Sequence, residues 1–456
     1  MGLWTRSIRI ACLAALALVG AISCGRADPP GLETLDEIRE RGELIVLTLE
    51  SPTTYHLDED GEPEGYEVAL VQNFAQDLGV SVRFEPQRDL GQLLANIAAG
   101  QGHLAAGGVT ITEARREAYT FGPAYKTVTE QLVCRRGGPQ VRSIEDMADV
   151  EIAVLEGSSY IETLQALKVD HPGIHWRTVN APSALPLLEL VQAEQVDCTV
   201  SDSTIVAHAR LRYPELLTPL VLSEERSLAF VLPLESALSQ PLNRWSEARH
   251  EGDLLERLDQ RWFGVTRQFD YVDTARFIRR IEERLPAFRP HFEAAAEASG
   301  IDWRWLAAQA YQESHWDPDA VSATGVRGIM MLTLPTANEL GVEDRTDPAQ
   351  SIEGGARYLA NLMERLPEEV QGRDRLFLAL SAYNVGMGHL YDARRLAERQ
   401  SLEKNRWGDI RKVLPLLSDP DYYTTVPRGY ARGREPVQYV ANIRRYRVLL
   451  DLHLDE

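Results

Sequence analysis

The chain has 456 residues, of which 44% are hydrophobic and 25% are charged, and its formal net charge is −20. This length exceeds what one hydrophobic core usually supports, so we expect two domains. The composition is that of a globular protein and argues against a disordered or fibrous one. The first 270 residues carry most of the negative charge, and neither half has the basic excess typical of nucleic-acid binding. We therefore expect no nucleic-acid partner.

The first 24 residues are typical of an export signal. Arg6 and Arg9 precede an apolar run at 10–22 that is too short to span a bilayer comfortably. The run leads into an Ala-Ile-Ser-Cys stretch ending at Cys24, which resembles a lipobox, the motif whose cysteine becomes lipidated. We expect 1–24 to be a signal peptide with a lipobox, and the mature protein to be periplasmic and attached to the outer membrane, either peripherally or through a lipid on Cys24. The alternative is an ordinary signal peptide cut nearby, which releases a soluble protein.

Two cysteines remain for the folded part of the chain, because Cys12 belongs to the signal and Cys24 to the anchor. Cys134 and Cys198 either form a disulfide, which the periplasm permits, or stay as buried thiols, and the sequence leaves both open. No Cys/His cluster has the spacing of metal ligands, so we expect no metal and no cofactor.

Strand-like and helix-like segments alternate through the first half. The predicted strands are 43–48, 80–84, 103–107, 151–155 and 196–200, and the predicted helices are 66–78, 90–99 and 184–194. The alternation pauses near 125–136, and a strand at 229–234 is expected to return the chain to the first lobe. Such alternation predicts βαβ units with a mainly parallel sheet. We expect a two-lobed α/β domain over 33–266.

Strand signals vanish from about Tyr271, and helical periodicity dominates the rest of the chain. The predicted helices are 278–285, 292–298, 303–311, 352–366 and 376–383. We expect an all-α domain over 270–456.

Glu313 is the candidate acid of this second half. It lies at the end of a helix rich in aromatic and apolar residues, which Asp317-Pro318 is expected to break. A carboxyl group at such an apolar helix end loses hydration, which raises its pKa and keeps it protonated as a general acid. On spacing alone a solvated surface glutamate remains the commoner interpretation.

Several motifs in order resemble the soluble-type family of lytic transglycosylases. They are Glu-Ser at 313–314, Pro-x-Ala-x-Ser at 318–322, Gly-x-x-Gly-x-Met at 325–330, Pro-x-Ala at 335–337, an intervening helix at 352–359, Ala-Tyr-Asn-x-Gly at 382–386 and a closing segment at 438–443. The resemblance implies a lysozyme-like fold. It also implies that Glu313 protonates the glycosidic oxygen between N-acetylmuramic acid and N-acetylglucosamine in peptidoglycan glycan strands.

The resemblance further implies a non-hydrolytic outcome. Hydrolytic glycosidases need two carboxyl groups, and no second one takes a motif place here, since Asp317 and Asp319 are predicted to be turn formers. In this family the C6 hydroxyl of muramic acid attacks its own anomeric carbon and leaves a 1,6-anhydro end, with Glu313 acting as the base. A hydrolytic lysozyme is the alternative.

Five further residues are implied as substrate-binding residues of this domain. They are Ser322, Met331, Tyr383, Asn384 and Tyr439, with Tyr439 expected to hydrogen-bond or position Glu313. Met331 stands where many relatives carry glutamine, a variant that resembles the membrane-bound type F branch of the family. The alternative for Tyr383 is a packed core tyrosine.

Residues 33–266 resemble the family 3 periplasmic solute-binding domains. The stretch Gly-Val-Thr-Ile-Thr at 108–112, followed by Arg115, is similar to a family segment whose arginine clamps an amino-acid carboxylate through its planar fork. The resemblance implies that Asp202 receives the α-amino group and that Tyr55 stacks on the ligand. The full candidate ligand set is Tyr55, Thr110, Thr112, Arg115, Ser158 and Asp202.

The order of the halves, receptor and then transglycosylase, resembles the membrane-bound type F branch over nearly the whole chain. It implies an enzyme whose first domain senses an amino acid or muropeptide effector. The alternatives are a cleft that no longer binds anything, and an amino-acid receptor with a catalytically weak tail that binds the cell wall.

Overall fold

The structure is a computed structural model that describes residues 29–454 apart from 59–60, 251, 253, 265 and 267–270. The predicted signal peptide and Cys24 lie outside the described residues. Across the described residues, no helix is both long enough and apolar enough to cross a membrane.

The first half forms an α/β domain. Its elements are α1 (Leu35–Arg41), β1 (Glu43–Leu49), β2 (His56–Leu57), β3 (Pro63–Glu64), α2 (Tyr66–Leu78), β4 (Ser81–Gln87), α3 (Leu90–Ala98), β5 (Leu104–Ala106), α4 (Glu113–Arg116), β6 (Thr120–Val128), β7 (Glu130–Arg135), β8 (Ile152–Leu155), α5 (Ser159–Asp170), β9 (Trp176–Val179), α6 (Leu185–Gln192), β10 (Cys198–Asp202), α7 (Ser203–Arg212), β11 (Leu216–Val221), β12 (Arg226–Leu232), α8 (Ser239–His250) and α9 (Leu254–Trp262).

Two five-stranded sheets define the lobes of this domain. The first has the strand order β4-β1-β5-β12-β6 and the second β11-β7-β10-β8-β9. In each sheet three neighbouring strands are parallel, and the chain that crosses from the other lobe adds an antiparallel strand, β12 in the first sheet and β7 in the second. The sheets are therefore mixed, where mainly parallel sheets were predicted.

The strand β1 shows why the chain forms this core. Its apolar run is buried almost throughout, as expected for a central strand covered on both faces, and β4 and β5 pair with it on either side.

The pause predicted at 125–136 is wrong, because that segment holds the end of β6 and the whole of β7. Cys134 and Cys198 lie opposite each other on β7 and β10 and form a disulfide.

The second half forms a helical domain. Its helices are α10 (Tyr271–Glu283), α11 (Leu285–Ser299), α12 (Trp303–Ser314), α13 (Leu334–Leu340), α14 (Pro348–Glu364), α15 (Gly372–Val385), α16 (Met387–Arg399), α17 (Trp407–Val413), α18 (Pro420–Tyr423) and α19 (Arg434–Leu454). The predicted helix 278–285 is wrong in its boundary. Pro286, which has no N–H to donate, stands in the first turn of a new helix, and the break falls at Arg284.

The long C-terminal helix α19 is the centre of the helical domain. Both α12 and α15 pack against it, and its buried face includes Tyr439, Val440 and Ile443. The same helix meets the α/β domain, because Leu211 of α7 joins the hydrophobic core of the helical domain.

Candidate active site and ligand cleft

Glu313 lies next to the last residue of α12. The helix ends there because His315 and Trp316 both have left-handed backbones, each with φ of +56°. Trp316 turns back into the core, where its indole N–H donates to the Ala307 carbonyl at 2.8 Å. The helix thus ends before Asp317-Pro318, which was expected to break it, and the tight reversal leaves Glu313 facing the loop that follows.

The environment of Glu313 shifts its ionisation. Burial raises the pKa of its carboxyl, and the Tyr439 hydroxyl, which donates to Oε1 at 2.5 Å, opposes part of that rise; the result is a pKa of about 7. Tyr439 is itself held by the side-chain amide of Gln309, which donates to its hydroxyl at 3.2 Å. Glu313 is therefore protonated in a large fraction of molecules at neutral pH.

The loop after α12 forms another wall of the site. The Ser314 hydroxyl donates to the Ile329 carbonyl at 2.8 Å and ties this loop to the helix end. Gly328 has φ of +84°, and a Cβ there would lie 1.7 Å from the carbonyl oxygen of Arg345, so only glycine fits. Met331, also left-handed and half-buried, follows this tight turn.

Tyr383 joins α15 to the same wall. Its hydroxyl donates to the Met330 carbonyl at 2.9 Å, and its ring packs edge-on against Tyr358 with centroids 5.1 Å apart. Burial raises the pKa of Tyr383, and the negative charge of Glu313 raises it further, which places the two groups close together. Asn384 is exposed at the end of the same helix.

The structure therefore brings Glu313, Tyr383 and Tyr439 together. Ser322 is placed differently: its oxygen accepts from the backbone N–H groups of Thr324 and Val326, each at 3.2 Å, and so shapes its own turn.

No second carboxylate among the described residues shifts the pKa of Glu313. Among the described residues, the shift in its pKa comes from burial and from Tyr439, without a contribution from another acid. Asp317 accepts from the backbone N–H of Asp319 at 3.1 Å, in keeping with the turn predicted there. Within the described part of the chain no group of three or more His, Cys, Asp or Glu side chains is arranged to hold a metal ion.

A cavity of about 70 Å³ lies between the lobes of the α/β domain. Thr110, Arg115, Ser158 and Asp202 line it, as the sequence-based candidates would require. Tyr55 lies outside this lining, because its neighbour Thr54 takes that place and the Tyr55 ring packs against Phe84 at 5.5 Å. Thr112 is also outside it. Its side chain caps α4 and donates to Glu162 of the other lobe at 3.2 Å.

Arg115 connects the two lobes across this cavity. Its guanidinium donates to the Thr110 carbonyl at 2.8 Å in its own lobe and to the Gly157 carbonyl at 2.9 Å in the other. A guanidinium has five N–H donors, so these two bonds leave others available to an anionic ligand. Asp202 caps α7 through Oδ1, while Oδ2 accepts from the Tyr160 hydroxyl at 3.4 Å.

Glu67 is a cavity residue that sequence reasoning missed. It is only 3% exposed, and its Oε1 accepts from the Tyr125 hydroxyl at 2.5 Å and from the Gly108 N–H at 2.8 Å. Its Oε2 is buried and has no hydrogen-bond partner among the described residues. Burial raises its pKa, the two hydrogen bonds lower it and the charge of Asp202 raises it, which together place it at about 7. The sequence signal that could have identified Glu67 is its charge, because it is a charged residue among the otherwise uncharged buried positions of α2.

These geometries define an enzyme-like site in one domain and a binding-protein cleft in the other, and family models match both. Residues 290–406 match the transglycosylase SLT domain, and 44–265 match the bacterial extracellular solute-binding proteins, family 3. The predicted fold class, a two-lobed α/β domain followed by a helical transglycosylase domain, is confirmed.

Full-length relatives identify the family. The chain is 55% identical to the membrane-bound lytic murein transglycosylase F of Maricaulis maris (strain MCS10), over 97% of this chain and 98% of that one. It is 45% identical to the membrane-bound lytic murein transglycosylase F 1 of Alkalilimnicola ehrlichii, over 93% and 86%. The chain belongs to the family of membrane-bound lytic murein transglycosylases F.

Replacing Tyr439 with phenylalanine tests the electrostatics of the site. Tyr439→Phe removes the hydroxyl that lowers the pKa of Glu313, so this pKa is expected to rise above its wild-type value of about 7. An NMR titration of the Glu313 carboxyl carbon measures it. Tyr358→Phe, which removes a hydroxyl from the ring packed on Tyr383, is the matched control and should leave the titration unchanged. An unchanged or lower pKa in Tyr439→Phe would contradict the account.

Proposed function

We propose that the helical domain cleaves the β-1,4 bond between N-acetylmuramic acid and N-acetylglucosamine in peptidoglycan and leaves a 1,6-anhydro end. The observation that carries this proposal is the Glu313 carboxyl with a pKa of about 7, hydrogen-bonded to Tyr439 at 2.5 Å. The names of the 55% and 45% identical relatives support the same substrate class.

The proposed reaction uses one carboxyl group twice. Protonated Glu313 donates its proton to the glycosidic oxygen while the bond from that oxygen to the anomeric carbon breaks. The carboxylate then accepts the proton of the C6 hydroxyl as the C6 oxygen bonds to the anomeric carbon of the same sugar. Water is not consumed, and Glu313 ends protonated as it began. Hydrolysis would require a second carboxyl group as a base or nucleophile.

The surrounding residues have supporting roles in this proposal. Tyr439 orients the Glu313 carboxyl and holds its pKa where both proton transfers are possible. Tyr383, Asn384 and Met331 form walls along which the glycan strand binds, and Ser322 holds the turn of the loop that follows α12. The alternative of a receptor with a tail that only binds the wall is disfavoured, because binding alone has no need of a carboxyl group with a pKa raised to about 7.

Replacing Glu313 with glutamine tests its role as acid and base. Glu313→Gln keeps the size of the side chain and removes the proton, so the rate of anhydromuropeptide release should fall by roughly a hundred-fold or more. Mass spectrometry of products from purified peptidoglycan measures this rate. Glu353→Gln, at an exposed ion pair on α14, is the control with the same chemical change. Wild-type activity in Glu313→Gln would exclude Glu313 as the acid.

We also propose that the α/β domain binds an amino acid or muropeptide effector. The cavity between its lobes offers the buried guanidinium of Arg115 for a carboxylate, with Asp202 and Glu67 for an ammonium group. Glu67 becomes ionised as the pH rises through about 7, so an ammonium group beside it should bind more tightly above that pH. At about 70 Å³ the cavity is small, so a muropeptide requires the lobes to open.

Replacing Arg115 with methionine tests this cleft. Arg115→Met removes the charge-assisted hydrogen bonds to a carboxylate and should weaken binding by roughly ten- to a hundred-fold. Titration calorimetry with a panel of free L-amino acids and purified muropeptides measures the affinity. Arg116→Met changes the exposed neighbour of Arg115 and should bind like the wild type. If no compound binds the wild-type protein, or both variants bind equally well, the proposed effector site is wrong.

We propose further that Cys24 is lipidated and attaches the protein to the outer membrane. The lipobox-like stretch before Cys24 and the membrane-bound relatives support this. Cys24→Ala should therefore move the protein from the outer-membrane fraction to the soluble periplasmic fraction, as measured by fractionation and immunoblotting. Cys24→Ala protein that stays in the membrane fraction would refute the anchor.

A further inference from the structure

A second cavity, of about 590 Å³, lies between the two domains. Its walls come from α9 of the α/β domain and from α12, α15, α17 and α19 of the helical domain. It shares no lining residue with the cleft between the lobes, and Glu313, Tyr383 and Tyr439 are not part of its walls. Its volume falls in the range of small-molecule sites.

The charge of this interdomain cavity is opposite to that of the chain. Eight arginine and lysine side chains line it against three carboxylates, whereas the whole chain has a formal net charge of −20. All three carboxylates are engaged: Glu256 pairs with Arg411 and Lys412, Asp451 pairs with Arg447, and Asp374 accepts from the backbone N–H of Trp407 at 2.8 Å. Carboxylates outside the lining pair with Arg261, Arg406, Lys412 and Arg447. A local excess of positive charge in a concave, partly desolvated site attracts anions.

Arg444 of α19 lies among these cations. Burial and the neighbouring cations Arg411 and Arg373 together lower its pKa to about 10. Among the described residues, Arg444 and Arg373 have no carboxylate within ion-pair distance. Arg444 contacts the Gln260 carbonyl at 3.4 Å and lies over the Phe377 ring at 5.2 Å. Two cations held close together in this way repel each other, and an anion bound between them relieves the repulsion.

Aromatic side chains complete the walls. Trp305 and Phe377 pack edge-on with ring centroids 5.7 Å apart, and Trp407 also lines the cavity. Aromatic faces beside guanidinium groups suit a ligand that combines anionic groups with an apolar or ring-shaped part.

We propose that this interdomain cavity binds a small polyanion whose carboxylate or phosphate groups pair with Arg444 and Arg373. The site is built from both domains, because α9 closes one side and the helical domain the other. The helices α12, α15 and α19 each contribute to the cavity and also carry Glu313, Tyr383 and Tyr439, respectively. A bound polyanion therefore links the α/β domain to the helices that carry the active-site residues.

Calorimetric titration of the full mature chain at low ionic strength tests the proposal, with inorganic pyrophosphate and citrate as separate probes. We expect at least one to bind with one-to-one stoichiometry and to bind less tightly as salt is added. Arg444→Gln and Arg373→Gln should each weaken binding roughly ten- to a hundred-fold, as expected for the loss of a charge-assisted hydrogen bond. Binding of only one probe assigns the ligand to the phosphate or the carboxylate class.

Arg39→Gln is the matched control, because it removes the same charge from an exposed position on α1. It should bind both probes as the wild type does. If the wild type binds neither probe, or if Arg39→Gln weakens binding as much as the cavity variants, the proposal is overturned. Arg373 is more exposed than Arg444, so replacing it disturbs the packing less. Arg373→Gln therefore tests the proposed binding site even if Arg444→Gln does not fold. Binding is measured without turnover, so the result is independent of the function proposed for Glu313.

Discussion

The reaction proposed for the helical domain depends on one carboxyl group, that of Glu313, being shielded from water. A carboxylate loses hydration when it is buried, which favours the protonated form, and the Tyr439 hydroxyl restores part of the stability of the ionised form. The balance sets the pKa of Glu313 at about 7, where one group both gives and takes a proton near neutral pH. Two of the helices around it, α12 and α19, pack together so that this hydrogen bond can form.

The rest of the site follows from backbone geometry. The left-handed residues after α12 reverse the chain, and the glycine at 328 allows the next loop to approach the Arg345 carbonyl more closely than any side chain permits. The Ser314 and Tyr383 hydroxyls then hold this loop through the carbonyls of adjacent residues. A second carboxyl group takes no part in the electrostatics of Glu313 among the described residues.

Elements with strong local signals could be predicted from the sequence, and elements set by distant contacts could not. The helix at 66–78 has the predicted bounds because its apolar stripe is regular. Strand β6 was missed because register shifts against β12 disturb the alternation of buried residues. The motifs singled out Glu313, Tyr383 and Tyr439. Tyr55 was misplaced and Glu67 missed, because tertiary packing decides which neighbouring side chain faces a cleft.

The reaction proposed for Glu313 consumes no water. Digestion of purified peptidoglycan in water enriched in oxygen-18, followed by mass spectrometry of the muramic acid ends, tests this most directly. We expect 1,6-anhydro ends without the heavy isotope, because the C6 oxygen of the sugar itself forms the new bond. Reducing ends that carry oxygen-18 would contradict it and would require a second catalytic group.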